Sequence, residues 1–360
     1  MAKQRFYIYA DDARLAPIAW RLSLEGYDVA MNVRESWLRG ALQGIVSPTS
    51  RMPRNNDIVL FASADMAMRD RLMQSNVVIG GLASDDYRSA SELPRYAVEG
   101  WFNGSEFDPL LWQSSYSATR WLTDDLGPVS DGEWSVVWPL RDTDRALPAL
   151  FQQYEQPLAA SEYFGPVRVY CEIEENEAEL ETKCVCYDIC ASRLAAWTAL
   201  TGQSLGEQLE ALADEQSVSL ARSNQLGMSL RLSVQPYPYA QQDLQAFAQP
   251  IAITLESVNS VWLQSVIQSL QSQQQLFACG DGLIGIAATS GAAENYGGAI
   301  QTLRQIASHV MTDSLQWRSD IASDVWECWR WLARRGYGQP TEMPDLLLSA
   351  SPPLLASAIL

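Results

Sequence analysis

The segment 281–321, DGLIGIAATSGAAENYGGAIQTLRQIASHVMTDSLQWRSDI, constrains the fold more than any other part of the chain. An apolar run at 284–288 enters a stretch of small residues and glycines. A helical pattern follows over 298–311, then the cluster Gln316-Trp317-Arg318-Ser319-Asp320-Ile321. A strand that turns through glycines and returns as a helix points to an α/β architecture.

The N-terminal region agrees. RFYIYA at 5–10 reads as a strand by its aromatic and β-branched content. Residues 13–24 carry apolar side chains at helical spacing, and Gly26 ends that helix. A second strand is expected at 28–31. The near-continuous apolar runs at 57–62 and 76–79 suit buried parallel strands, with a helix over 65–74 between them. This predicts a parallel β-α-β unit over 1–81. Nucleotide-binding units of this kind carry glycines after the first strand; here Asp11 and Asp12 stand there. Two carboxylates favour a helix N-terminus but repel a phosphate.

Composition removes several chemistries. The net charge of −18 argues against nucleic acid and anionic membrane surfaces as partners. Two of the 25 basic residues are lysines, Lys3 and Lys183, so phosphate binding or Schiff-base chemistry has few candidates. The one histidine, His309, lies in a helical pattern and reads as structural. No apolar run reaches transmembrane length and the chain opens without a signal-like run, so a cytoplasmic protein with reduced thiols is expected. Cys184, Cys186 and Cys190 lack the paired knuckles of zinc sites; their alternation suits a strand, and no metal site is expected.

The middle of the chain gives weaker signals. Residues 96–107 read as a hairpin with Asn103-Gly104 at its turn. Asp124-Asp125-Leu126-Gly127-Pro128-Val129-Ser130-Asp131-Gly132 reads as a loop, 143–154 as a helix and 165–173 as a strand. The acidic run from Glu172 to Glu181 reads as a solvated hairpin tip. Strands are expected at 228–234, 257–263 and 275–279, with an aromatic and proline wall at 235–239. Trp326, Trp329 and Trp331 suit a core or a dock for the apolar tail over 340–360.

In their order these segments resemble the glycinamide ribonucleotide synthetase (phosphoribosylamine–glycine ligase) family of ATP-grasp enzymes. The C-terminal QWRSDI is similar to that family's QYRRDIG, and RLAPIAWRL at 14–22 to its REHALAWKL. YAVEG at 96–100 resembles its EFSV strand, and DLGPVSDG at 125–132 resembles its substrate-holding DxGPNTGGMG loop. The resemblance implies an ATP-dependent carboxylate–amine ligation of purine biosynthesis, with ATP and Mg²⁺ as cofactors. Carried over by position, it implies a substrate site at Asp125, Gly127, Pro128, Gly132, Asp188 and Arg318. The family's two metal-ligating positions fall on Arg168 and Tyr170, neither of which binds a hard cation.

One subtraction dominates. The family places a small lobe of about four strands, which clamps ATP and supplies lysines, before the EFSV strand. Such a lobe needs at least ~60 residues. Residues 82–95, LASDDYRSASELPR, contain no lysine and suffice only for a linker. The chain is therefore expected to be an ATP-grasp-like α/β protein, α+β in its later units. Its divisions are an N-terminal domain (1–81), a linker (82–95), a reduced core (96–216), a C-terminal domain (217–330) and a tail (331–360). The expected function is a non-catalytic scaffold that binds a small molecule or a protein partner, with no cofactor. Two alternatives stand: an active ligase using ATP and Mg²⁺, and a structural component of a larger assembly, such as a viral one. The apolar tail would then support assembly or homo-oligomerisation.

Overall fold

The computed structural model describes residues 3–35, 38–81, 94–108, 111–140, 146–173, 180–214, 225–238, 249–269, 275–322 and 324–338. The linker over 82–93, Glu174 to Glu179 of the acidic run, Tyr239 and the tail over 340–360 lie outside them.

The N-terminal unit is β1 (Arg5–Ala10), α1 (Ala16–Leu24), β2 (Asp28–Val33), β3 (Ser47–Pro48), β4 (Ile58–Ala62), α2 (Met66–Met73) and β5 (Val77–Gly80). Its strands are parallel in the order β5-β4-β1-β2-β3. β4, IVLFA, is buried at every residue, as a strand covered on both faces must be. The helix expected over 13–24 opens as a short 3-10 turn at Ala13–Leu15. Asp12 caps that turn by accepting the Arg14 N–H at 2.9 Å, and Pro17 then opens α1.

The second stretch comprises β6 (Tyr96–Asn103), β7 (Gln113–Arg120), β8 (Val129–Pro139), α3 (Ala146–Ala160), β9 (Phe164–Glu172), β10 (Glu181–Cys186), α4 (Ala191–Thr201), α5 (Leu205–Ala213) and β11 (Gln225–Ser233). The third comprises β12 (Gln249–Ile253), β13 (Val261–Leu263), β14 (Val266–Gln268), β15 (Leu276–Ala278), β16 (Leu283–Ala292), α6 (Tyr296–Ser308), β17 (Val310–Met311) and α7 (Val325–Arg334).

One 13-stranded sheet runs through all three stretches, in the order β13-β16-β11-β8-β7-β6-β9-β5-β4-β1-β2-β3, with β10 also on β9. β9 is the junction. It is antiparallel to β6 along its length and meets β5 through Ile79 and Phe164. β14-β15-β12-β17 form a separate four-stranded sheet. The indole N–H of Trp20 in α1 donates to the Val261 carbonyl of β13 at 2.8 Å, tying the first stretch to the third. Glu25 at the end of α1 accepts the N–H groups of Leu205 and Gly206 at 3.0 and 2.9 Å, so its charge sits against the N-terminus of α5.

Several expectations are corrected. The turn at Asn103 forms, with its side chain accepting the N–H groups of Ser105 and Glu106. Beyond it only Phe107 bridges back to Phe102; the strand that pairs with β6 is β7. The helix expected at 143–154 is observed at Ala146–Ala160, and Gly132 lies inside β8 rather than in a loop. The three tryptophans are core: Trp329 packs edge-on against Trp138 at 5.8 Å and Trp326 stacks on Tyr296 at 5.7 Å. His309 closes α6 and shares a 2.8 Å hydrogen bond with Ser257, in keeping with a structural role.

Candidate functional site

Side chains alternate across a strand, so the register assigns the two faces of the antiparallel half-sheet. Ala97 and Glu99 of β6 pair with Tyr170 and Arg168 of β9, and Glu99 also pairs with Gln113 of β7. Ser117 of β7 pairs with Ser135 of β8, which pairs with Ser229 of β11. This polar face is covered by α4, which packs on β8, β11 and β16. The backbones come close: a Cβ on Gly227 would lie 2.0 Å from the Ala196 carbonyl oxygen.

Where α4 begins, the face opens into a cavity of about 40 Å³. Four arginines line it: Arg14 after β1, Arg168 of β9, Arg193 of α4 and Arg231 of β11. Arg168, Arg193 and Arg231 are buried. Gly132, Asp188 and Cys190 complete the rim.

Each arginine has its own setting. Arg168 forms a 2.6 Å ion pair with Glu99, and both side chains are under 5% exposed. Glu99 also accepts the Gln113 amide at 2.5 Å and the Trp101 indole N–H at 3.3 Å. Burial alone would lower the Arg168 pKa, but the Glu99 carboxylate outweighs it and holds the guanidinium firmly charged. Arg14 is bound by the Asp12 carboxylate and lies 3.9 Å from Asp188. Burial raises the Asp12 pKa, yet the bonds from Arg14 hold it below the usual carboxylate range. Arg231 donates to the Gly132 carbonyl at 2.9 Å and stands 3.9 Å from Glu133, which accepts the Tyr237 hydroxyl at 2.6 Å. Arg193 donates to the Tyr170 hydroxyl at 3.1 Å.

Cys190 reports the field of these charges. Burial would push its thiol up, but Arg193, Arg168 and the Ser192 hydroxyl together hold it below the ordinary thiol value. Cys186, on β10 and facing Arg168 at 3.8 Å, is pushed up to about 12 by burial.

The six residues expected to form one substrate site fall into separate places. Gly132 and Asp188 line the arginine cavity. Asp125 lines a wider hollow, of about 830 Å³, with Arg95, Tyr116 and Lys183; Thr119 lines both spaces. Arg318 is 2% exposed and donates to Asp125 at 2.5 Å, to Asp320 at 2.8 Å and to the Arg120 carbonyl at 2.7 Å. Burial raises the pKa of Asp125, but hydrogen bonds from Arg318 and Arg95 outweigh it and hold the carboxyl low. Gly127 and Pro128 shape the turn before β8. The Gly127 N–H reaches the Trp121 carbonyl at 2.6 Å, and a Cβ there would lie 2.1 Å from that oxygen.

Among the described residues, the side chains that line the arginine cavity do not fit a magnesium–nucleotide complex. The side chains that face the cavity from β9 are Arg168 and Tyr170. A divalent cation prefers carboxylate or amide oxygens. Lys183 is bound to Glu172 and Glu181 at 2.6 and 2.9 Å, and Lys3 donates to the Glu25 carbonyl at 2.5 Å. Between β5 and β6 only residues 81–95 intervene, far fewer than the ~60 that a four-stranded lobe requires.

Sequence reasoning missed Arg193 and Arg231. Both carried a signal: a lone charge in a strand (MSLRLSV) and in a helix (ASRLAAWTALT) that otherwise hold only apolar and small hydroxyl side chains.

No protein-family model matches this sequence, and no curated protein is similar to it in sequence. Solved structures are similar in fold. Phosphoribosylamine–glycine ligase from Thermotoga maritima aligns over 88% of this chain and 100% of its own, at 11% identity and a TM-score of 0.56. The biotin carboxylase domain of a single-chain bacterial carboxylase aligns over 96% of this chain and 94% of its own, at 10% identity and a TM-score of 0.53. The urea carboxylase of Kluyveromyces lactis aligns over 87% of this chain and 30% of its own, at 11% identity and a TM-score of 0.50. The chain has the mixed α/β fold of the ATP-grasp ligases.

Proposed function

We propose that this protein is a binding scaffold built on the ATP-grasp fold, which holds a small molecule in the arginine-lined cleft and does not by itself transfer phosphoryl groups from ATP. One observation carries this reading: the Arg168–Glu99 pair lies buried where the resemblance places a metal-ligating carboxylate. Phosphoryl transfer relies on Mg²⁺ and cationic side chains to neutralise charge on the phosphates. A divalent ion 4 Å from a guanidinium meets roughly 8 kcal/mol of repulsion at an effective dielectric near 20. Glu99 is already committed to Arg168 and cannot offset both cations. Losing a single charge-stabilising donor commonly costs about 10²–10³ in rate, and here a metal site and a lobe are both lost from the resemblance.

The test is a coupled assay for ADP. Purified protein is mixed with ATP, Mg²⁺, glycine and a phosphorylated amine. ADP release at the rate of a no-protein control is expected. Release that requires both acceptor substrates would overturn the proposal in favour of an active carboxylate–amine ligase.

A further inference from the structure

We infer that the ligand of this cleft presents an oxyanion, a carboxylate or a phosphate, which docks directly on Arg193 and Arg231 at the start of α4 without a bridging metal. The inference rests on the reading of the cleft as a small-molecule site and adds the chemistry of what binds there.

Charge distribution is the first argument. The chain carries a net −18, yet four arginines and a single carboxylate, Asp188, line one small cavity. Two of the four are balanced from behind, Arg168 by Glu99 and Arg14 by Asp12. Arg231 is balanced in part too: it stands 3.9 Å from the Glu133 carboxylate, which also accepts the Tyr237 hydroxyl, and it acts on the Asp12 and Asp281 carboxylates. Arg193 is bonded to a neutral phenol, and among the described residues no carboxylate forms an ion pair with it. A buried guanidinium in that position lacks a counter-anion.

Unmet donors are the second argument, and they are independent of net charge. The Nε–H groups of Arg193 and Arg168 are buried and, among the described residues, have no hydrogen-bond acceptor. Both side chains are at most 3% exposed. A buried N–H without an acceptor leaves its lost hydration uncompensated, the more so on a charged group. An oxyanion supplies several acceptor lone pairs at once, and guanidinium groups bind such groups with matched geometry.

The helix adds to this. α4 runs 11 residues, and the Cys190 Sγ at its N-cap lies 3.3 Å from the Ser192 hydroxyl of the first turn. The N-terminal end of such a helix carries partial positive charge and N–H groups without intrahelical partners. Ala191, Ser192 and Arg193 from this turn all line the cavity. The depressed Cys190 thiol is a second sign of the same positive field. Size limits the ligand. About 40 Å³ holds a few water-sized groups, which suits one oxyanion head.

The experiment titrates the full chain with inorganic phosphate, acetate and acetamide at constant chloride. Binding is read by calorimetry and by the rate of Cys190 alkylation. Phosphate or acetate should bind and slow alkylation, while acetamide, the neutral analogue of acetate, should do neither; the two anion arms identify the headgroup. Arg193→Gln and Arg231→Gln should each weaken binding by at least about tenfold. Arg39→Gln, at an exposed arginine outside the cleft, should not change it. Should a variant fail to fold, protection of Cys190 in the unaltered protein still decides. Acetamide binding as well as acetate removes the oxyanion assignment but leaves the scaffold. An equal loss in the Arg39 variant shows that the anions bind by diffuse charge and overturns the inference. No binding and no protection by either anion overturns it as well. ADP release in the separate ligase assay bears only on catalysis.

Discussion

Replacing Arg168 with methionine tests the energetics at the floor of the cleft. The guanidinium is 2% exposed and lies 2.6 Å from Glu99. Methionine preserves much of the volume but strands Glu99 with only the Gln113 amide and the Trp101 indole as donors. Removing one partner of a buried pair commonly costs about 3–5 kcal/mol, because the remaining charge stays desolvated. A chain of 360 residues unfolds with an entropy near 0.76 kcal/mol/K at about 2.1 cal/mol/K per residue, so the midpoint should fall by about 4–7 °C. Glu99→Gln should cost a similar amount by stranding Arg168. The double variant Arg168→Met/Glu99→Gln removes both charges of the pair and should recover at least half of the summed losses. Thermal and urea unfolding of the four proteins close the cycle. Additive losses below about 1 kcal/mol each would refute the reasoning, since they describe a solvated pair.

Other perturbations have signs fixed by the structure. Gly127→Ala should destabilise by more than about 1 kcal/mol, because its Cβ would overlap the Trp121 carbonyl oxygen at 2.1 Å; urea midpoints check this. Arg318→Met should also lower the urea midpoint, and Asp125→Asn should lower it less, because Arg318 keeps Asp320 and the Arg120 carbonyl. Asp281 is half-buried, and burial pushes its carboxyl up to about 6 despite the bond it accepts from the Leu283 N–H. A folded pKa above the unfolded one contributes stability that is complete below about 3.8 and lost as pH rises through about 6. Asp281→Asn should therefore gain stability relative to the parent as pH rises from 5 to 7, measured by urea unfolding at each pH. A constant difference across that range would contradict the shift.

Legibility in the sequence followed the physics of each element. The N-terminal strands were plain because IVLFA and RFYIYA are apolar runs of strand length. β7 was not, although it lies in the middle of the sheet. Its sequence, QSSYSATR, carries almost no apolar signal. Its buried serines are satisfied by neighbours that no local pattern reveals: Ser117 bonds Ser135 at 2.9 Å and Ser114 bonds the Tyr96 hydroxyl at 2.9 Å. Gly132 suggested a loop by its neighbours Asp131 and Ser130, yet β8 continues through it at a φ of +112°, beside Ser192 of α4. The site was half legible. Gly132 and Asp188 were placed by order of elements, and the cavity includes both. Arg318 and Asp125 were also found, but in an ion network away from that cavity. A one-dimensional motif holds no information about which of its charges are already spent on one another.

The proposed scaffold binds a small ligand with arginines and does not hold a metal–nucleotide complex. Calorimetric titration of the purified chain with Mg²⁺ and ATP tests it most directly. Heats indistinguishable from dilution up to millimolar nucleotide are predicted. A saturable isotherm at micromolar nucleotide that disappears on chelating Mg²⁺ would contradict it.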